Sequence, residues 1–296
     1  MRFMFQYPDF HGTDGEMLDA GPVAALAQAA EKAGWKGFAF TEHPAPSVKW
    51  LETGGHQALD PFVALSHVAA VTTELKLLTY LAVLPYRNPL SLAKSAATVD
   101  LLSGGRFILG AGTGYLKAEY FALGVDFDER NVLFDEALDV MPLHWKGEPF
   151  DYTGTHFNCR GIIGRPRPVQ QPIPIWLGGN AKLTLRRVAE RCQGWMPLSG
   201  APWMFSTVRS PGVSSTADLD ERMAMLKEYA GDRFDSLDIA SSYHEPGIYD
   251  LTDVERHRDA LGTLEAAGAN WIIVPGPQGK HPQAAEFIDA FAETYF

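Results

Sequence analysis

Apolar and polar positions along the chain alternate between two periods. Short apolar runs of the kind that form strands are repeatedly followed by segments with the three- and four-residue spacing of a helix. Residues 3–7 predict a strand, 22–33 an Ala-rich helix stopped by Gly34, and 37–41 a second strand. Asp60 and Pro61 then supply an N-cap and a first-turn proline to a helix whose Phe62, Leu65 and Ala69 share one face. Residues 75–84 predict strand three. Asn88 with Pro89 repeats the cap, the next helix runs to Leu102, Gly104 and Gly105 end it, and 107–111 is strand four.

The second half continues the alternation. A helix containing Phe134, Leu138 and Met141 leads into residues 147–172, rich in Gly, Pro and aromatics and without helical period, which we take as an insertion. Strand five (173–177), a basic helix (181–191), strand six (194–198) and a polar loop (199–216) follow. A helix over 219–229, a strand over 237–241, a helix opened by the capping box Thr252-x-x-Glu255, a strand over 271–274 and a last helix over 282–295 complete the series. Eight strand-helix units in 296 residues predict a single α/β domain over 1–296, a (β/α)8 TIM barrel with insertions after strands 4 and 6. An open doubly wound sheet is the alternative. The uninterrupted pattern and the absence of any compositional shift weigh against it.

Composition narrows the function classes. With 46% hydrophobic and 21% charged residues, the chain is neither disordered nor fibrous. Lys plus Arg number 25 against 36 Asp plus Glu, a net charge of −11, so a nucleic-acid partner is not expected. Cys159 and Cys192 are too few for a disulfide scaffold and lack metal-ligand spacing, which suits a reducing cytoplasm. The apolar run at the start meets Pro8 and Asp9 too soon for a signal segment, and no stretch approaches the roughly 18 apolar residues of a membrane span.

In a barrel of this kind the active face is built from the loops that follow the strands. Strand two is followed by Glu42 and His43, with Trp50 a few residues on; an imidazole beside a carboxylate suits proton transfer near neutrality. No His-x-His or His-Glu-x-x-His pair suggests a metal. Strand three gives Thr79, Tyr80 and Leu81. After strand four, the spacing of Gly110, Gly112 and Gly114 departs from the dinucleotide fingerprint, yet glycines there allow a ring or backbone to approach closely; a tight turn explains them equally well. Gly178, Gly179 and Asn180 open a helix after strand five, an arrangement that favours an anion, with Lys182, Arg186 and Arg187 adding positive charge or simply facing solvent.

Three stretches carry a family likeness: FTEHPAPSVKW (40–50), the long run from 84 to 130 that includes LSGGRFILGAGTGY, and IWLGGN (175–180). Through them the chain resembles the luciferase-like flavin-dependent oxidoreductases, in particular the branch that uses the 8-hydroxy-5-deazaflavin coenzyme F-420. The resemblance implies that His43, beside Glu42, lies near the reactive ring. It also implies that Thr79, Tyr80 and Leu81 form a bulge behind the ring, with a cis peptide between Tyr80 and Leu81. Gly112, Thr113 and Gly114 would lie against the coenzyme, and Gly178, Gly179 and Asn180, with Ser199 and Gly200 close by, would hold its phosphate. Where some members of the branch carry a glutamate acid, this chain has Tyr115, a hydrogen-bond donor with an ordinary pKa near 10. His43 is therefore the first choice of proton donor, with Glu119 a distant second.

The expected activity is hydride transfer between coenzyme F-420 and a small organic substrate, covered by the 147–172 insertion and by Trp203, Met204 and Phe205 of the 199–216 loop. The same slot suits FMN, which would make the protein a monooxygenase; a cofactor-binding barrel with little catalysis is a third reading. The family likeness further implies a homodimer.

Overall fold

The computed structural model describes residues 1–13, 16–200, 205, 211–279 and 282–296. Eight parallel strands close on themselves: β1 (Arg2–Gln6), β2 (Gly37–Phe40), β3 (Lys76–Thr79), β4 (Phe107–Gly112), β5 (Ile175–Gly178), β6 (Gly194–Met196), β7 (Asp238–Ser242) and β8 (Trp271–Pro275). Each pairs with the next, and β8 returns to β1 with Val274 beside Phe5. Most residues of these strands are buried whichever way they point, which explains their near-continuous apolar runs. Met4, Ala39, Leu78, Ile108, Trp176 and Ala240 are among those filling the barrel; the opposite faces pack on the surrounding helices.

The helices are α1 (Val23–Ala33), α2 (Pro61–Val71), α3 (Pro89–Leu102), α4 (Lys117–Ala122), α5 (Arg130–Lys146), α6 (Lys182–Arg191), α7 (Thr216–Ala230), α8 (Val254–Ala266) and α9 (Gln283–Tyr295). The expected caps operate where they were placed. Asp60 accepts from the Phe62 and Val63 amides, Asn88 accepts from the Leu90 amide, and Gly34 closes α1 at φ 95°. No described helix is long and apolar enough to cross a membrane.

Three expectations need correction. The run 75–84 is not one strand: β3 stops at Thr79, the Tyr80–Leu81 peptide is cis, and Ala82–Val83 pairs separately with Ala111 and Gly112. The Thr252 capping box does not form, because Asp253 occupies the left-handed region at φ 53° and α8 starts without a side-chain cap. The insertion is an antiparallel hairpin, Pro149–Thr153 with Asn158–Ile163. It lies along α5 instead of covering the barrel mouth, because buried Glu136 accepts the amides of Thr155, His156 and Phe157, while Gln170 bonds Asp100 and the Phe107 carbonyl at the start of β4. Trp203 and Met204 of the other expected cover lie outside the described residues; Phe205 packs its ring where a Cβ on Gly212 would go.

Candidate active site

Strand pleating decides what lines the mouth. Side chains alternate, so two residues beyond the interior Met4, Ala39, Leu78 and Ala240 come Gln6, Thr41, Tyr80 and Ser242. A hydrogen bond joins Ser242 to the Tyr80 hydroxyl. On the opposite wall the same step beyond Ile108 and Trp176 gives Gly110 and Gly178, and a second step along β4 gives Gly112. One side of the mouth is polar and the other is bare backbone.

Glu42 and His43 leave the end of β2 in different directions. The Glu42 carboxylate is buried, accepts the Val83 amide at 2.7 Å and pairs with Arg87, which also reaches Asp60. It ties the segment after the cis peptide to β2. His43 is turned the other way: its Nδ1 lies 3.3 Å from Oε2 of Glu119, a carboxylate only 1% exposed. Glu119 also accepts the Ala45 amide at 3.2 Å and the Tyr86 hydroxyl at 3.0 Å. Burial and Glu119 together hold the Tyr86 phenol far above its ordinary pKa, so it remains a donor. With Nδ1 donating to Glu119, Nε2 of His43 is the nitrogen presented to a bound molecule. Trp50 lies against the His43 ring with centroids 4.4 Å apart, and the Tyr115 ring is 6.3 Å away. Burial and the nearby carboxylates push the Tyr115 phenol up to about 12, so it too stays protonated.

Two groups that the motifs did not flag complete this wall. Asp9, just beyond β1, accepts from Thr41 Oγ1 at 2.5 Å and Gln6 Nε2 at 2.8 Å. Burial pushes its carboxyl up to about 7 despite those bonds. His56 stands over it: Nε2 is 3.6 Å from Asp9 Oδ2, is shielded from solvent, and has no hydrogen-bond partner. The His56 ring also meets His43 edge to face at 4.6 Å, and burial with two neighbouring histidines pushes its pKa down to about 3. A detectable signal was the Gly54-Gly55 pair before His56. Gly54 sits at φ 95°, and a Cβ on Gly55 would strike the Trp50 ring at 2.4 Å, so the glycines fold this turn tightly beneath the tryptophan.

The glycine wall is filled by the protein itself. A Cβ on Gly110 would lie 1.9 Å from the Thr79 carbonyl oxygen; those on Gly112 and Gly178 would strike Leu81 methyls at 2.6 and 2.2 Å. Thr79 gives its hydroxyl to the Gly110 carbonyl at 2.7 Å. Leu81 thus lies across β4 and β5 as a floor for the mouth. Farther along, the Thr113 carbonyl accepts the Tyr120 hydroxyl, and Gly114 adopts φ 68° against Val83. After β5, the Gly179 amide goes to the Met196 carbonyl, and the Asn180 side chain bonds Leu198 and Pro211. Ser199 bridges to Val213, whose carbonyl accepts the Gly200 amide. Arg187 is buried in a two-pronged pair with Asp135, so it does not add the positive charge expected of α6. The N-cap position of α6, by contrast, is Ala181, which supplies no side-chain cap. Among the described residues no cluster of three metal-ligating side chains occurs.

Comparison with known proteins agrees with this architecture. The "F420-dependent glucose-6-phosphate dehydrogenase 2" of Rhodococcus jostii is 28% identical over 93% of this chain and 86% of its own length. Among solved structures, the monooxygenase RslO1 from Streptomyces bottropensis superposes with a TM-score of 0.77 at 21% identity, covering 100% of this chain and 98% of that one. The coenzyme F420 dependent tetrahydromethanopterin reductase from Methanopyrus kandleri gives 0.72 at 18% identity, covering 99% and 97%. The sequence profile described as luciferase-like monooxygenase matches residues 1–234, and the chain belongs to that family.

Proposed function

We propose that this chain is an oxidoreductase that binds a deazaflavin of the coenzyme F-420 type in the barrel mouth and exchanges a hydride with a small organic substrate. The observation that carries the reading is the His43–Glu119 pair, which holds an imidazole at the mouth beside Trp50 with Nδ1 turned to a buried carboxylate. The Leu81 floor offers an apolar support for a ring system, and the start of α6, where Ala181 supplies no cap, lies at the β5 edge of the same mouth, suited to a phosphate. The relationship to the Rhodococcus jostii dehydrogenase favours the same coenzyme class. When bound, a deazaflavin supplies a two-electron hydride carrier. The protein's part is to hold the ring against Leu81, keep His43 oriented through Glu119, and deliver or accept a proton at Nε2.

Titrating the cofactor-free chain side by side with coenzyme F-420 and FMN, following the fluorescence of each, tests the proposal. Tight binding of the deazaflavin is expected; tight binding of FMN alone overturns it in favour of an oxygen-activating monooxygenase. Once a substrate is in hand, His43→Ala should lower turnover by about 10²- to 10⁴-fold while coenzyme affinity stays within about tenfold. Unchanged turnover removes His43 from the reaction.

A further inference from the structure

Hydride transfer to a neutral acceptor must be matched by a proton, and His43 stands at the mouth with Glu119 behind it. The polar wall contains a second set of proton-carrying groups that this pair does not use. Phe10–His11 and His56–Gln57 form a two-residue antiparallel ladder that places His11 directly opposite His56, with ring centroids 5.5 Å apart. His11 is exposed, whereas His56 Nε2 is enclosed and faces Asp9 Oδ2 at 3.6 Å. Asp9, His56 and His11 therefore follow one another from the barrel mouth to the surface.

We propose that these three side chains form a proton line, with Asp9 holding the proton at the mouth and His56 and His11 refilling it from solvent. The inference rests on the oxidoreductase reading for its purpose, but its geometry stands alone. In one passage His56 gives its Nε2 proton to Asp9 Oδ2 while Nδ1 takes one from the His11 side, which leaves the Nδ1–H ring accepting from the Asp9 carboxyl; before the next passage that ring turns toward His11, releases the Nδ1 proton and takes one at Nε2. The balance is one proton in at the surface and one delivered at the carboxyl, with no change in charge on His56.

The surroundings favour a stored proton on Asp9. Gln6 from β1 and Thr41 from the end of β2 donate to its oxygens, His43 and His56 adjoin it, and the tyrosines at 80, 115 and 249, on the segments after β3, β4 and β7, are near enough to feel its charge. Among the described residues, no arginine or lysine is among the groups that act on it. A neutral carboxyl there gives the unpartnered Nε2 of His56 the donor it lacks.

The test is NMR on the full chain without cofactor, labelled with ¹⁵N-histidine and ¹³C-aspartate, titrated from pH 4 to 9 as the parent, Asp9→Asn and His11→Asn. The Asp9 carboxyl should titrate near neutrality, the His56 Nε2 signal should move with the same midpoint while the ring stays neutral, and that movement should vanish in Asp9→Asn. In His11→Asn the midpoint should persist, but exchange of the Asp9 proton with water should slow by about tenfold or more and recover on adding imidazole to the buffer. Titration of Asp9 below about pH 5, or a His56 signal indifferent to Asp9, overturns the line. Unaltered exchange in His11→Asn overturns it equally. Because no coenzyme is present, failure of the F-420 reading leaves every one of these outcomes intact.

Discussion

The two walls of the barrel mouth are made from opposite kinds of sequence. The β4–β5 wall carries the conspicuous motifs, Gly110-x-Gly112-x-Gly114 and Gly178-Gly179-Asn180, and nearly every group in them is engaged by the protein: Leu81, the Thr79 carbonyl, Met196, Leu198 and Pro211 fill or bind them. Beyond the Glu42-His43 strand end, the β1–β2 wall carries no motif that marks Asp9 or His56, yet it buries the Asp9 carboxyl and leaves His56 Nε2 without a partner. The difference teaches that glycine marks where backbone or a neighbouring side chain must approach, and the approaching group is often internal. Reactive capacity lies where polar groups remain unsatisfied.

The largest test of this contrast is Gly110→Ala. The added methyl would meet a backbone carbonyl at 1.9 Å, and neither β3 nor β4 can yield without breaking the barrel ladder. Denaturant unfolding should show a loss on the order of 3 kcal/mol. A variant as stable as the parent would mean that this wall has slack and that the glycine serves something else. Next in size is Glu42→Ala, which strips Arg87 and the Val83 amide of a buried acceptor. Arg87 is 30% exposed, so solvent recovers part of the charge, and a loss of about 2 kcal/mol is expected. Loss of turnover at full stability would instead return Glu42 to the chemistry.

The polar wall makes its own prediction through pH. The Asp9 carboxyl lies at about 7 in the folded chain against an ordinary 3.8, so between those values the folded state holds the additional proton. Its contribution to stability is complete below about pH 4 and is lost as pH rises to about 7. His56 has the reverse sign: pushed down to about 3 from 6.5, it costs stability as pH falls through that window. The two slopes oppose one another, so the parent's own curve conceals both. Asp9→Asn uncovers the carboxyl term. The variant's stability advantage over the parent should grow from pH 4 to 7, reach on the order of 4 kcal/mol, and level off above that. A difference that does not change with pH would give Asp9 an ordinary carboxylate's behaviour and weaken the contrast between the walls.

The barrel was legible because its strands are buried on both faces and its helices carry strong caps such as Asp60, Asn88 and Gly34. The break at Thr79 was invisible to periodicity, since Tyr80 to Leu84 continues the apolar run; only family resemblance located the cis peptide at Tyr80–Leu81. His43 was legible as a strand-end imidazole. Its partner was assigned to the wrong neighbour, because adjacency in sequence suggested Glu42, whereas one turn of α4 tucks Glu119 beneath the ring. Asp9 and His56 were not singled out: they lie 47 positions apart, and the two-residue ladder of Phe10–His11 with His56–Gln57 brings their segments together.

The finest distinction between the walls lies at Gly112, where two explanations of the same glycine predict different results. If Gly112 clears space for a ligand, then Gly112→Ala should lower coenzyme affinity and leave stability alone. In the structure the methyl meets Leu81 Cδ1 at 2.6 Å, the end of a side chain that can swing aside, so the cost should fall on stability and be modest, about 1 kcal/mol. Shortening the obstructing side chain should remove that cost: in a Leu81→Ala background, Gly112→Ala should be close to neutral, with a coupling of about 1 kcal/mol across the double-mutant cycle. Measuring affinity alongside completes the argument. A floor shifted by Leu81 would alter coenzyme binding in both Leu81→Ala and Gly112→Ala, whereas direct contact with the glycine would make only the latter weaken it, and an absent coupling would show that Leu81 is not what Gly112 accommodates.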